Sequence, residues 1–132
     1  DEAFAELMEF VEWARFDALG CFTFFPEKGT AAAEMNNQVS AEIAAERSDA
    51  LMAAQQKIAF EKAQARIGTE LTCLIDEPAD EKAVALARYY GQAPHIDSIC
   101  FVENCRANPG DMIKVKVTGT SGYDLVVQQS KK

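Results

Sequence analysis

The stretch Met112-Ile113-Lys114-Val115-Lys116-Val117-Thr118 alternates apolar and polar side chains. Successive side chains of an extended strand point to opposite faces, so Ile113, Val115 and Val117 share one face and Lys114 and Lys116 the other. That is the pattern of a strand with one side buried and one side in water. Pro109-Gly110-Asp111 precedes it and Ser121-Gly122 follows it, both turn-forming clusters. Short strand-like runs recur on either side. The pattern predicts strands at residues 70–76, 82–90, 98–103, 112–118 and 123–128, with Pro78 and Pro94 in the intervening turns. An open sheet of such short strands would leave two edges unpaired. Closure removes them, so a small five-stranded antiparallel β-barrel is expected.

Upstream the periodicity changes. No Gly or Pro occurs between Thr30 and Ile67, and Ala, Glu, Gln and Lys dominate. A long helix is predicted over 40–66, with Ser40 as N-cap, Glu42 in the first turn and Gly68 closing it. It would span about 40 Å. Ile43, Arg47, Leu51 with Met52, Gln55, Ile58 and Lys62 trace one face. Residues 30–39 read as a polar, alanine-rich connection.

Further upstream, Phe4, Leu7, Met8, Val11 and Ala14 fall at helical spacing, widened by Phe10 and Trp13. This first helix is expected to run to about Leu19 and stop at Gly20. Residues 19–30 then read Leu-Gly-Cys-Phe-Thr-Phe-Phe-Pro-Glu-Lys-Gly-Thr. The apolar run 21–25 has the character of a strand buried on both faces, ended by Pro26 and Gly29. Such a strand belongs inside a parallel sheet or barrel, and the chain has no other elements to build one. Trp13 and Phe16 read as a packing face for that absent sheet. The helix-strand unit is therefore expected to be a remnant of an α/β barrel, and the chain, which lacks an initial Met, a piece of a longer protein. The fold class is α+β. The expected organisation is a remnant at 1–39, a linker helix at 40–66 and a barrel domain at 67–132.

Composition is that of an ordinary globular protein, 48% hydrophobic and 26% charged. No apolar run approaches a membrane span, and the acidic helical start is not a signal peptide. Net charge is −8. Residues 1–65 hold 5 Lys/Arg against 12 Asp/Glu, and residues 66–132 hold 8 against 9. The acidity is helical and reads as a solvated surface. A strongly basic nucleic-acid footprint is absent.

Cys21, Cys73 and Cys100 sit among apolar neighbours, which suits reduced, buried thiols in the cytoplasm. Cys100 and Cys105 do not have common zinc-ligand spacing. His95 is the single histidine and follows Pro94 in a predicted loop, so it reads as a surface residue rather than a catalytic base. No catalytic, cofactor or metal site is expected within this chain.

The order of elements resembles the C-terminal end of the methylthiotransferases, which are radical S-adenosylmethionine enzymes, and most closely their RimO type. The resemblance rests on several motifs in order. Residues 19–30, including Gly29-Thr30, resemble the last strand of the catalytic barrel and its turn. Gln38, Arg47, Leu51-Met52 and Gln55 match the linker helix. Arg88, Tyr90, Ala93-Pro94 and Ile96-Asp97 resemble an arginine–tyrosine–alanine–proline–isoleucine–aspartate signature. Pro109-Gly110-Asp111 and Tyr123-Asp124-Leu125 resemble the closing strands. The chain departs from the family at Phe25, Lys28, Gly91-Gln92, His95 and Ser98.

The resemblance implies that the barrel is a TRAM domain, OB-like, which holds the macromolecular target. It implies a parent enzyme that methylthiolates an aspartate of a small-subunit ribosomal protein, using iron–sulfur clusters and S-adenosylmethionine bound upstream. None of the four cysteines has the CxxxCxxC spacing of such a cluster site, so the fragment alone is expected to be inactive. Two targets stand as alternatives. One is a basic small-subunit ribosomal protein. The other is RNA, as for the transfer-RNA-modifying relatives. Candidate target-binding residues are Arg88, Tyr90, Asp97, Lys114, Lys116 and Tyr123. Arg66, Arg106 and Tyr89 lie near them in sequence. Arg88 and Asp97 are expected to pair across the Pro94 loop, either to stiffen it or to meet a partner. Lys114 and Lys116 read more readily as a solvated strand face that discourages edge aggregation than as target contacts. A near-neutral barrel beside acidic helices attracts a polyanion poorly and suits a basic protein better. Residues 1–30 are expected to promote self-association.

Overall fold

A computed structural model describes residues 1–130. The chain divides into two compact units, residues 1–59 and 60–132.

The first unit holds helix α1 (Glu2–Ala14), a short 3₁₀ turn (Ala31–Glu34) and most of helix α2 (Ala41–Ala65). Val11 of α1 packs with Leu51 and Ile58 of α2, with Met8, Leu19 and Cys21 against them. Arg47 Nη2 bonds Asp1 Oδ1 at 2.7 Å. Its guanidinium also sits 5.3 Å from the Phe4 ring centroid. Ser40 caps α2: its hydroxyl accepts from Ile43 N at 3.4 Å. Hydrogen bonding at this first turn, to backbone and then to the Ser40 hydroxyl, holds the Glu42 carboxyl below the usual range.

Two expectations are corrected here. Helix α1 stops at Ala14, well before Leu19. Arg15 adopts a left-handed conformation (φ 48°) and its N–H bonds Val11 O, closing the helix. The Phe16 carbonyl then accepts from Gln55 Nε2 at 2.8 Å, which fixes the chain leaving the helix. Second, residues 21–25 form no strand. A strand needs partners for its backbone groups, and among the described residues none pairs with this run. Phe22 is 95% and Phe25 77% exposed, the reverse of burial on both faces. Trp13 is likewise exposed, while the Phe10 ring packs against those of Trp13 and Phe16.

The second unit is a closed barrel of β1 (Glu70–Glu77), β2 (Val84–Tyr89), β3 (Cys100–Glu103), β4 (Met112–Ser121) and β5 (Asp124–Gln129) in the order β1-β2-β3-β5-β4. The sheet is mixed rather than wholly antiparallel. The β3–β5 pair runs parallel, Cys100 opposite Leu125 through Glu103 opposite Gln128. Closing an odd number of strands requires at least one parallel pair. The alternation read from residues 112–118 holds: Ile113, Val115 and Val117 are buried and Lys114 and Lys116 exposed. The interior also holds Cys73, Ile75, Ala85, Ala87, Cys100, Val102, Leu125 and Val127. Each fully buried Val contributes on the order of 1.5–3 kcal/mol. Ala and Cys on β1 to β3 keep the barrel narrow. Ala63 from the end of α2 joins this core.

The end of α2 is joined to the barrel by several contacts. Gly68 (φ 88°) lets the chain turn, and its N–H bonds Val117 O at 2.8 Å. Gln64 Nε2 donates to Thr120 Oγ1 at 3.0 Å, and the Phe60 ring meets the Tyr123 ring edge-on at 4.9 Å.

Candidate functional site: the outer face of the β1–β2 sheet

The register places the exposed side chains of three strands beside one another. Leu74 of β1 lies opposite Arg88 of β2 on one side and Met112 of β4 on the other. Thr72 lies opposite Lys114, and Glu70 opposite Lys116. A first groove of about 510 Å³ follows this face, lined among others by Thr72, Leu74, Arg88, Tyr90 and Met112. A second, of about 400 Å³, is lined by Asp76, Glu77, Leu86, Arg88 and residues of the β2–β3 loop, including Pro94 and His95. Arg88 is common to both.

A β-bulge shapes the second groove. Ile75 pairs with Ala87 and Glu77 with Leu86, so Asp76 has no partner of its own. A bulge re-aims the side chains around it. Asp76 and Glu77 both line the groove, although strict alternation would send neighbours to opposite faces.

The β2–β3 loop is held by a buried amide. Gln92 Oε1 accepts from Tyr89 N at 3.0 Å and from the Cys100 thiol at 3.3 Å, while Nε2 donates to Ser98 Oγ at 3.0 Å. Gly91 is needed beside it: a Cβ there would lie 2.7 Å from Tyr89 Cε2. Below, Cys100 and Cys73 are buried in the core. Interaction with the Cys73 thiol, and then burial, pushes the Cys100 thiol far up.

The predicted residues separate into groups. Arg88 and Tyr90 share the first groove, with Tyr90 95% exposed and its ring edge-on to Tyr89 at 5.6 Å. Lys114 and Lys116 are exposed on the adjoining strand β4. Asp97 stands apart. Its Oδ2 accepts from Ala93 N at 2.7 Å, closing its own loop. The expected Arg88–Asp97 pair does not form. Arg88 Nη2 instead faces Asp76 Oδ1 at 3.6 Å, because the bulge presents that carboxylate. Tyr123 packs on Phe60, away from both grooves. Asp124 accepts from Ile99 N at 2.8 Å. The Arg66 guanidinium lies 5.0 Å from the Tyr89 ring centroid.

Sequence reasoning missed Thr72, Leu74 and Met112 as groove residues, and Asp76, Glu77 and Gln92 as the groove-shaping set. Leu74 and Met112 carried a usable signal: both are apolar out of phase with the buried residues of their strands. Among the described residues, no three His, Cys, Asp or Glu side chains converge to hold a metal ion. The four cysteines do not suit an iron–sulfur cluster. No helix among the described residues is long and apolar enough to cross a membrane.

Residues 67–129 match the TRAM domain family. The chain is 43% identical over 127 residues to a ribosomal protein uS12 methylthiotransferase RimO of Anaeromyxobacter sp. (strain Fw109-5), covering 96% of this chain and 27% of that protein. It is 40% identical over 134 residues to one of Acinetobacter baumannii, covering 99% and 30%. A third, of Bdellovibrio bacteriovorus, is 39% identical over 126 residues, covering 95% and 28%. The chain thus spans less than a third of the length of these curated relatives.

Proposed function

The chain belongs to the RimO-type methylthiotransferases and carries their TRAM domain, and from that premise we propose that it is the target-recognition portion of an enzyme that methylthiolates an aspartate of ribosomal protein uS12. In this reading the barrel holds the protein substrate while chemistry takes place in parts of the enzyme outside this chain. Those parts would bind the iron–sulfur clusters and S-adenosylmethionine. The fragment by itself is then a binding module without activity, working in the cytoplasm beside the ribosome.

The observation that carries the reading is the makeup of the barrel's outer face. Its grooves mix apolar, aromatic and paired charged groups: Leu74, Met112 and Tyr90 beside the Arg88–Asp76 pair. This resembles a protein-binding surface, where an exposed aromatic serves as an anchor and charges set orientation. Binding RNA would call for a basic track with bases stacking on aromatics. Here Lys114 and Lys116 supply two cations, the register sets Glu70 opposite Lys116, and residues 66–132 are nearly neutral. Arg88 and Tyr90 are assigned to the target contact, with Lys114 and Lys116 at its margin. Asp97 and Tyr123 act by fixing the loops that carry them.

Fluorescence anisotropy with labelled uS12, and separately with a labelled single-stranded RNA, tests the proposal at 50 and 200 mM salt. Binding to uS12 that persists at the higher salt is expected. Tight RNA binding that collapses with salt, with no binding of uS12, would overturn it.

A further inference from the structure

Resting on that reading, we infer that the groove between the β1 bulge and the β2–β3 loop receives an extended segment of the target that carries Lys or Arg. The two grooves meeting at Arg88 differ in the charge around them. The first is lined by one charge of each sign, Glu70 and Arg88, and the register sets Lys116 opposite that Glu70. The second is walled by Asp76 and Glu77. Arg88 answers Asp76 at 3.6 Å. Glu77 is exposed and makes no ion pair among the described residues. The groove therefore keeps one uncompensated carboxylate at its wall.

The floor suits the same kind of side chain. Leu86 and Ile99, both partly exposed, supply apolar lining. Lys and Arg lay their aliphatic stems along apolar surface and hold their charged ends toward polar groups. The volume, about 400 Å³, accommodates side chains rather than a folded element. A protein that itself binds ribosomal RNA must carry such residues to neutralise phosphate.

The groove is also held in shape before any partner arrives. Gln92 ties Tyr89, Ser98 and Cys100 together, and Asp97 bonds Ala93 N. These bonds fix both ends of the loop that forms one wall. Binding then spends little on ordering that loop. Ile96, in the same loop, is 85% exposed.

The test is a titration of the isotopically labelled chain with purified uS12, followed by amide chemical shifts, for the unaltered chain, Glu77→Gln and Glu77→Lys. The largest shifts are expected at residues 76–77, 86–88 and 94–99. Glu77→Lys should weaken binding about tenfold and Glu77→Gln about threefold, mostly through slower association at low salt. Both variants should keep the dispersed amide spectrum of a folded barrel. If uS12 binds but the shifts cluster at Tyr90, Met112 and Lys114, or Glu77→Lys binds as well as the unaltered chain, the groove assignment is wrong while target recognition stands. If uS12 does not bind at all, both fall together.

Discussion

Arg88 and Asp76 face each other at 3.6 Å across the β1 bulge, and the two grooves of the barrel meet at Arg88. Both side chains remain partly in water, so the pair contributes about 0.2–1 kcal/mol to folding. Arg88→Ala is expected to lower barrel stability by no more than about 1 kcal/mol in urea unfolding. It should weaken uS12 binding by a larger factor, because both grooves lose a wall. Equal loss in folding and in binding would mean that Arg88 is only structural.

Gln92 is expected to be costlier. Its side chain serves Tyr89 N–H, the Cys100 thiol and Ser98 together in a buried position. Gln92→Leu removes the acceptor serving Tyr89 N–H and the Cys100 thiol and the donor to Ser98, at about 1–3 kcal/mol by the cost of lost buried hydrogen bonds. Urea unfolding measures the loss. Amide exchange should quicken first in residues 93–99 if the amide is the clasp of that loop.

The thiols give a chemical and a pH prediction. Cys21 is partly exposed, whereas Cys73 and Cys100 are fully buried. A thiol reagent should label Cys21 in the folded chain and leave Cys73 and Cys100 until unfolding, as peptide mass mapping would show. Interaction with the Cys73 thiol, and then burial, holds the Cys100 thiol protonated in the folded state. Above the ordinary thiol pKa of about 8.5, the unfolded chain releases a proton that the folded chain keeps. The Cys100 contribution to stability should therefore fall as pH rises past that point, and be complete below it. Urea midpoints at pH 7 and pH 10 check the sign, and Cys100→Ala should flatten the difference.

Residues 16–25 are expected to make the chain sticky. Phe22, Phe24 and Phe25 are exposed, and Trp13 with them. An apolar patch of this kind marks a contact surface. Sedimentation at rising concentration should show self-association, reduced by Phe22→Ser with Phe25→Ser. A strictly monomeric chain at high concentration would contradict this.

Much of the barrel was legible because each strand carries its own alternation. Met112 to Thr118 announces the buried face by itself, and turn residues bound the others. The parallel β3–β5 pair was not legible, since it follows from how the sheet closes rather than from either strand. Residues 21–25 have strand composition but no partners, so the same apolar run that predicts burial yields exposed phenylalanines. The site was half legible. Arg88, Tyr90, Lys114 and Lys116 stand out as exposed polar and aromatic residues on strands. The partner of Arg88 did not, because Asp76 is re-aimed by a bulge that no local pattern marks. Gln92 sits in a turn by composition, and only the folded loop turns it inward.

The most direct test of the recognition reading is competition. Labelled uS12 is bound to the chain at 150 mM salt and challenged with unlabelled uS12 or with excess single-stranded RNA, followed by anisotropy. Unlabelled uS12 should displace the label at stoichiometric levels, and RNA should fail even in large excess. Displacement by RNA at low concentration, with unlabelled uS12 no better, would contradict the account and make the barrel an RNA-binding module.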